Sequence, residues 1–227
     1  MLSRISRFAA AVLVSACAFA SVHAQTPAWE AGKNYFIIDP PQPSTSDKIE
    51  VTEVFSYGCP ACNMAQPTIE ALAKHLPPNA VMNYVPAAFN PAEDWPLFQR
   101  TYYTAQALGL AEKTHQAMYD AVWKTKELAT MNPDGRSLKN PQPSLEEVAQ
   151  FFTRFGVKPE DFIATANSFA INTKMRKADA YIKATGVDST PTIIVAGKYR
   201  LQVNTAGGYD KVEPLVRYLI DKETSGK

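Results

Sequence analysis

Phe55-Ser56-Tyr57-Gly58-Cys59-Pro60-Ala61-Cys62 decides how this chain is read. Just before it, Ile49-Glu50-Val51-Thr52-Glu53-Val54-Phe55 is β-branched and apolar and follows a Pro- and Ser-rich stretch, so it reads as a buried strand. Just after it, Met64, Ala65, Ile69, Leu72, Ala73 and Leu76 recur at helical spacing until Pro77-Pro78 stops the pattern. Cys59 therefore falls at a helix N-terminus, with Pro60 in the first turn, where its fixed φ and missing N–H cost least. Unpaired backbone N–H groups and the positive end of the helix dipole favour a thiolate over a thiol there. Cys62, one turn further on, can reach back to close a short disulfide. The pattern reads as a redox-active dithiol site. Half of a zinc site is the competing reading, but a structural zinc wants four ligands, and outside the leader only His75 and His115 could join.

Residues 1–24 read as an export signal. Arg4 and Arg7 give a positive n-region, Phe8 to Phe19 is apolar, and Val22-His23-Ala24 is an Ala-x-Ala-like site with cleavage expected after Ala24. The apolar run is short for a membrane span. Val14-Ser15-Ala16-Cys17 also resembles a bacterial lipoprotein box, which would leave Cys17 acylated. Both routes lead out of the cytoplasm. Without the leader, 23 basic residues become 21 against 22 acidic ones, and the net charge moves from +1 to −1. That balance excludes nucleic-acid binding or a polybasic membrane contact as the default reading. Of three cysteines only Cys59 and Cys62 outlast leader removal, so a protein living where disulfides persist has none to spare for stapling its fold. The remaining roughly 200 residues can bury a core without staples.

The rest of the chain alternates strands with a helical block. Trp29 to Ile38 is expected to be a loop leading into an edge strand, and Pro40, Pro41 and Pro43 hold the chain extended. Pro67 should kink the first helix, and Ala80 to Ala88 reads as a strand. From Asn90 to about Lys174 the pattern is helical. Trp95 to Leu108, ending near Gly109, marks one helix, and Met118 to Leu128 another. Ser144-x-x-Glu147 is a capping box, Pro159 begins a further helix, and Phe169 to Thr185 is closed by Gly186. The aromatics here are expected in the core, and His75 and His115 on helix surfaces. Thr192 to Ala196, a Gly197-Lys198 turn and Tyr199 to Leu201 then form a hairpin before a terminal helix.

Together with Gly186-Val187-Asp188-Ser189-Thr190-Pro191-Thr192 and Gly197-Lys198-Tyr199-Arg200, the Phe55–Cys62 motif resembles the DsbA family of periplasmic thiol:disulfide oxidoreductases. The resemblance implies an α/β, thioredoxin-like fold with an inserted all-helical domain, here residues 25–90 and 175–227 around an insertion at 91–174. It also implies that Cys59 forms a mixed disulfide with substrate and that Cys62 resolves it. Pro191 is implied to be a cis-proline beside the pair, and Thr190, Pro60, Ala61 and Met64 to contact substrate. Glu53 matches an acidic residue that the family buries beneath the disulfide, where it could relay the Cys62 proton. Two positions depart from the pattern. Ala61 stands where the best-studied members have a thiolate-stabilising His, and Thr190 stands where many have Val, Thr being seen also in related isomerases.

The function expected is that of a monomeric dithiol oxidase needing no cofactor or metal. It would give its disulfide to exported proteins with free thiols and be reoxidised by a quinone-linked membrane oxidase. A disulfide isomerase or reductase remains open. So does a periplasmic chaperone holding Cu(I) between Cys59 and Cys62, although Met64 is the only methionine close to the pair.

Overall fold

Ile49–Phe55 forms a central strand because its β-branched residues are covered on both faces and Phe55 leads straight into the Ser56–Cys59 turn. A computed structural model describes residues 29–226; the export signal and the Cys17 box lie outside the described residues. The elements run β1 (Phe36–Ile37), β2 (Ile49–Phe55), α1 (Pro60–His75), β3 (Ala80–Pro86), α2 (Trp95–Ala107), α3 (Ala111–Tyr119), α4 (Leu145–Phe152), α5 (Pro159–Ala166), α6 (Phe169–Ala184), β4 (Thr192–Val195), β5 (Tyr199–Leu201), α7 (Val203–Ala206) and α8 (Tyr209–Ser225).

Among the described residues the strands form one five-stranded sheet in the order β1-β5-β4-β2-β3. β2 and β3 are parallel, which the intervening helix α1 requires, and the other pairings are antiparallel. Alternation along β2 sends Val51, Glu53 and Phe55 to one face. Val51 there joins Ile193 and Val195 in a core closed by Ala65, Ile69 and Leu72 of α1 and Leu215, Val216 and Leu219 of α8. Val54 and Ile194 turn to the opposite side and pack with Ala178 and Ile182 of α6.

The helices from α2 to α5 form the expected block between β3 and β4, filled by Phe98, Phe151, Phe152 and Phe162. Their boundaries follow local chemistry. Ser144 and Glu147 make both hydrogen bonds of the capping box, and Gly156 stops the turn after α4 at φ +84°. Residue 174 falls inside α6, where Arg100 of α2 bonds Asn172 while Tyr181 reaches Thr52 of the sheet, so α6 belongs to both halves.

Two local expectations change. The hairpin turn is Ala196-Gly197, one residue earlier than read, with both residues at positive φ as a tight two-residue turn demands. Ala196 rather than Lys198 takes the strain because Lys198 N–H must donate to the Val195 carbonyl. The stretch after α3 continues as a π-helical turn over Asp120–Lys124. Periodicity misses such a turn because it inserts one residue into the helical repeat.

Candidate active site

Cys59 caps α1 in extended backbone (φ −86°, ψ 117°), and its sulfur accepts a hydrogen bond from the Cys62 N–H at 3.2 Å. The turn that brings it there is tied internally. Ser56 Oγ accepts from Gly58 N–H at 3.1 Å, and the Ser56 carbonyl accepts from Cys59 N–H at 3.1 Å. Two tryptophans of the helical block hold the turn from outside. The Trp123 indole N–H donates to the Tyr57 carbonyl at 2.7 Å, and Trp95 lies so close over Gly58 that a Cβ there would stand 2.6 Å from Nε1. Any residue larger than glycine at 58 would force the Trp95 indole or the turn to shift.

Across the site, the Thr190–Pro191 peptide bond is cis. The Cys59 thiol points at the Thr190 carbonyl, 3.4 Å away. A groove of about 460 Å³ opens beside it, lined by Ala61, Thr190, Pro191, Gln202, Val203 and Tyr209 among others. Tyr209 also lines a second groove of about 560 Å³ between α1 and α8, which neither cysteine reaches. Pro60 is exposed at the start of α1. Met64, expected near substrate, is 62% exposed and does not line the groove beside Cys59.

The two thiols are free and sit in unlike environments. Cys59 keeps 4% of its surface, less than its place at a helix terminus suggests, because the loop before Pro191 closes over it; Cys62 is fully buried. A hydrogen bond from the Cys62 side chain pulls the Cys59 thiol down to about 6, against the opposing effect of burial. The Thr190 side chain and the N–H groups of Cys62 and Ala61 add to the fall. Burial pushes Cys62 well up, and its bond to Cys59 and the charges of Cys59 and Glu53 push the same way. A stable thiolate thus sits above a sulfur that holds its proton.

Glu53 is fully buried on the sheet face that α1 covers. Desolvation raises its carboxyl to about 8, and the Cys59 charge adds to the rise. Around it lies a compartment the sequence does not announce. His115, expected on a helix surface, packs its ring against Phe55 at 5.0 Å and Tyr84 at 4.9 Å, and its Nδ1 lies 3.0 Å from Tyr57 Oη. Burial lowers this histidine to about 4, so it is neutral at physiological pH. Its partners come from β2, β3 and α2, which helical periodicity cannot reveal. His75 is exposed as expected and bonds Glu213 of α8 at 3.1 Å.

The family model described as DSBA-like thioredoxin domain matches residues 50–219. The thiol:disulfide interchange protein DsbA of Pseudomonas aeruginosa is 36% identical over 217 residues, covering 93% of this chain and 95% of that protein. The protein of the same name from Azotobacter vinelandii is 34% identical over 180 residues, 79% and 77% of the two chains. Among solved structures, Pseudomonas aeruginosa DsbA superposes with a TM-score of 0.74 at 34% identity, over 87% of this chain and 96% of that one. Oxidoreductase DsbA from Xylella fastidiosa also gives 0.74, at 28% identity over 86% and 97%.

Proposed function

The chain belongs to the family of DSBA-like thioredoxin domains, a thioredoxin-like fold with an inserted helical domain, and on that premise we propose that it is a thiol:disulfide oxidoreductase that donates its Cys59–Cys62 disulfide to exported proteins. The observation that carries this reading is the split between the thiols: Cys59 lowered to about 6 at a helix N-terminus, Cys62 raised beneath it. A low-pKa sulfur is a good leaving group, so a disulfide containing Cys59 is readily given away.

The reaction runs in two exchanges. A substrate thiolate attacks the Cys59 sulfur, the Cys59–Cys62 bond breaks, and Cys62 departs as a thiolate that takes a proton from Glu53. A second substrate thiolate then attacks the substrate sulfur of the mixed disulfide, and Cys59 leaves as a stabilised thiolate. Two electrons pass from substrate to the Cys pair. In the reverse direction, Cys62 resolves a stalled mixed disulfide by attacking Cys59. Pro191, Thr190 and Ala61 line the groove in which the substrate backbone would lie, while Pro60 stands exposed at its edge.

With a cleavable leader ending at Ala24, the working compartment would be the periplasm, and Cys17 anchoring the less favoured form. The reduced pair must then return its electrons, for which a quinone-linked membrane oxidase is the fitting partner. We assign residues 91–174 to the helical insertion and the flanking segments to the thioredoxin-like part, with α6 bridging them. Oxidised protein mixed with a reduced, unfolded dithiol substrate should transfer its disulfide stoichiometrically. Cys59→Ser should be inert, and Cys62→Ser, given a substrate that already carries a disulfide, should attack it through Cys59, release one substrate thiolate and stall as the mixed disulfide. Transfer by Cys59→Ser at the wild-type rate would overturn the assignment.

A further inference from the structure

Among the described residues, the buried polar atoms without a hydrogen-bond partner include Glu53 Oε1 and Oε2, Tyr119 Oη and His115 Nε2. Unpaired buried polar groups are rare because each forfeits its hydration, so a cluster of them calls for an account. They share one compartment. Glu53 and Tyr84 are opposite one another in the β2–β3 ladder, so their side chains stand side by side. The Tyr84 ring lies 4.9 Å from His115, and the His115 ring 5.4 Å from Tyr119. Tyr57 completes the circle, 5.1 Å from Tyr119 and hydrogen-bonded to His115 Nδ1.

The orphaned atoms are complementary. A carboxylate offers acceptors only, and Tyr119 offers a hydroxyl donor. With the Tyr57 hydroxyl donating to Nδ1, the neutral His115 ring carries its hydrogen on Nε2, a second donor. We propose that Tyr119 and His115 are the hydrogen-bond donors that hold the Glu53 carboxylate, directly or through one bridging water, once Glu53 has given its proton to Cys62.

This rests on the proton role given to Glu53 above. In that step the Glu53 O–H bond breaks, an S–H bond forms on Cys62, and the negative charge moves from sulfur to carboxylate. Tyr119 and His115 keep their hydrogens; among the described residues neither is hydrogen-bonded to a reacting sulfur, so both are positioning residues. The other titratable groups facing the carboxyl are Cys59 at the α1 N-cap, Cys62 of α1, Tyr57 of the preceding turn, Tyr84 of β3 and Tyr102 of α2. Burial keeps all three tyrosines protonated, so among the described residues the Cys59 thiolate is the one charge acting on Glu53, and it acts against ionisation. Two donors aimed at the carboxylate would offset that repulsion where no cation does.

The test follows the Glu53 carboxyl carbon by NMR through a pH titration of the reduced protein. Tyr119→Phe and His115→Phe should each make the carboxyl about tenfold harder to ionise, the effect of losing one hydrogen bond to a charged acceptor. His115→Gln, which restores an N–H, should recover most of that loss. The pH profile of disulfide reduction by a small thiol should move with the carboxyl. In the wild type, nitrogen shifts of His115 should report hydrogen on Nε2, a measurement independent of how any variant folds. An unmoved Glu53 titration in a natively folded Tyr119→Phe protein, or a His115 ring protonated on Nδ1, would remove that donor from the proposal. Glu53→Gln separates the two levels. If it leaves the pH–rate profile unchanged, the proton role itself fails. If it alters the profile while the Tyr119 and His115 variants do not, only the donor assignment fails.

Discussion

Acidification should strip stability from the reduced protein through Cys59, by an amount the site geometry sets. The folded thiol titrates at about 6 against an ordinary value of 9.0. A depressed folded pKa gives stability that is complete above the unfolded value and is lost as pH falls through the folded one. The full contribution is about 4 kcal/mol, of which about 2.7 kcal/mol is present at pH 8, about 1.4 kcal/mol at pH 7 and almost none at pH 5. Urea melts of reduced wild type and reduced Cys59→Ser across this range isolate the term. Glu53, whose raised pKa acts in the opposite sense, is common to both proteins apart from its repulsion with the thiolate. Relative to Cys59→Ser, the wild-type midpoint should climb by about 1 M urea between pH 5 and pH 8 for a protein of this size. A difference between the two proteins that stays flat over that interval would refute the thiolate account.

Three further outcomes follow from named contacts. At slightly acidic pH, brief alkylation of the reduced protein should label Cys59 alone, since Cys62 is fully buried and holds its proton; equal labelling by mass spectrometry would contradict the division of roles. Thr190→Val should raise the Cys59 pKa, read from thiolate absorbance, by about one unit for the lost hydrogen bond, and an unshifted titration would exclude Thr190 as a stabiliser. Gly58→Ala should cost about 1–3 kcal/mol by driving Cβ into the Trp95 indole, and a melt superimposable on wild type would show that contact to be slack.

What could be read in advance was whatever depends on neighbours in the chain. The strand into Cys59, Pro60 at the head of α1, the Ser144–Glu147 box and the glycine stops at 156 and 186 are local chemistry, and the structure carries them. Thr190 could be connected to Cys59 only through the family resemblance, because 131 residues separate them. The compartment around Glu53 escaped. Its walls come from β2, β3, α2 and α3, so His115 reads as a surface residue on its own helix and becomes interior only when the sheet is laid beside it. Trp95 and Trp123 were legible as core aromatics, but their grip on the Tyr57–Gly58 turn is a tertiary contact, and Trp123 sits in a π-helical turn that periodicity cannot register. Cys59 stands at the helix start that the spacing predicts, but the Thr190 loop that roofs it is out of reach of local reading.

The central claim is that the Cys59–Cys62 pair works as a donor of disulfides. Acid quenching of intact host cells, followed by alkylation with a mass-tagged maleimide, reads the redox state of the pair directly. The account predicts that nearly all of the protein is oxidised at steady state and turns reduced when the membrane oxidase is lost. A pair found mainly reduced in wild-type cells would contradict it and point to an isomerase or reductant, and a redox state that follows copper supply would point to a metal carrier.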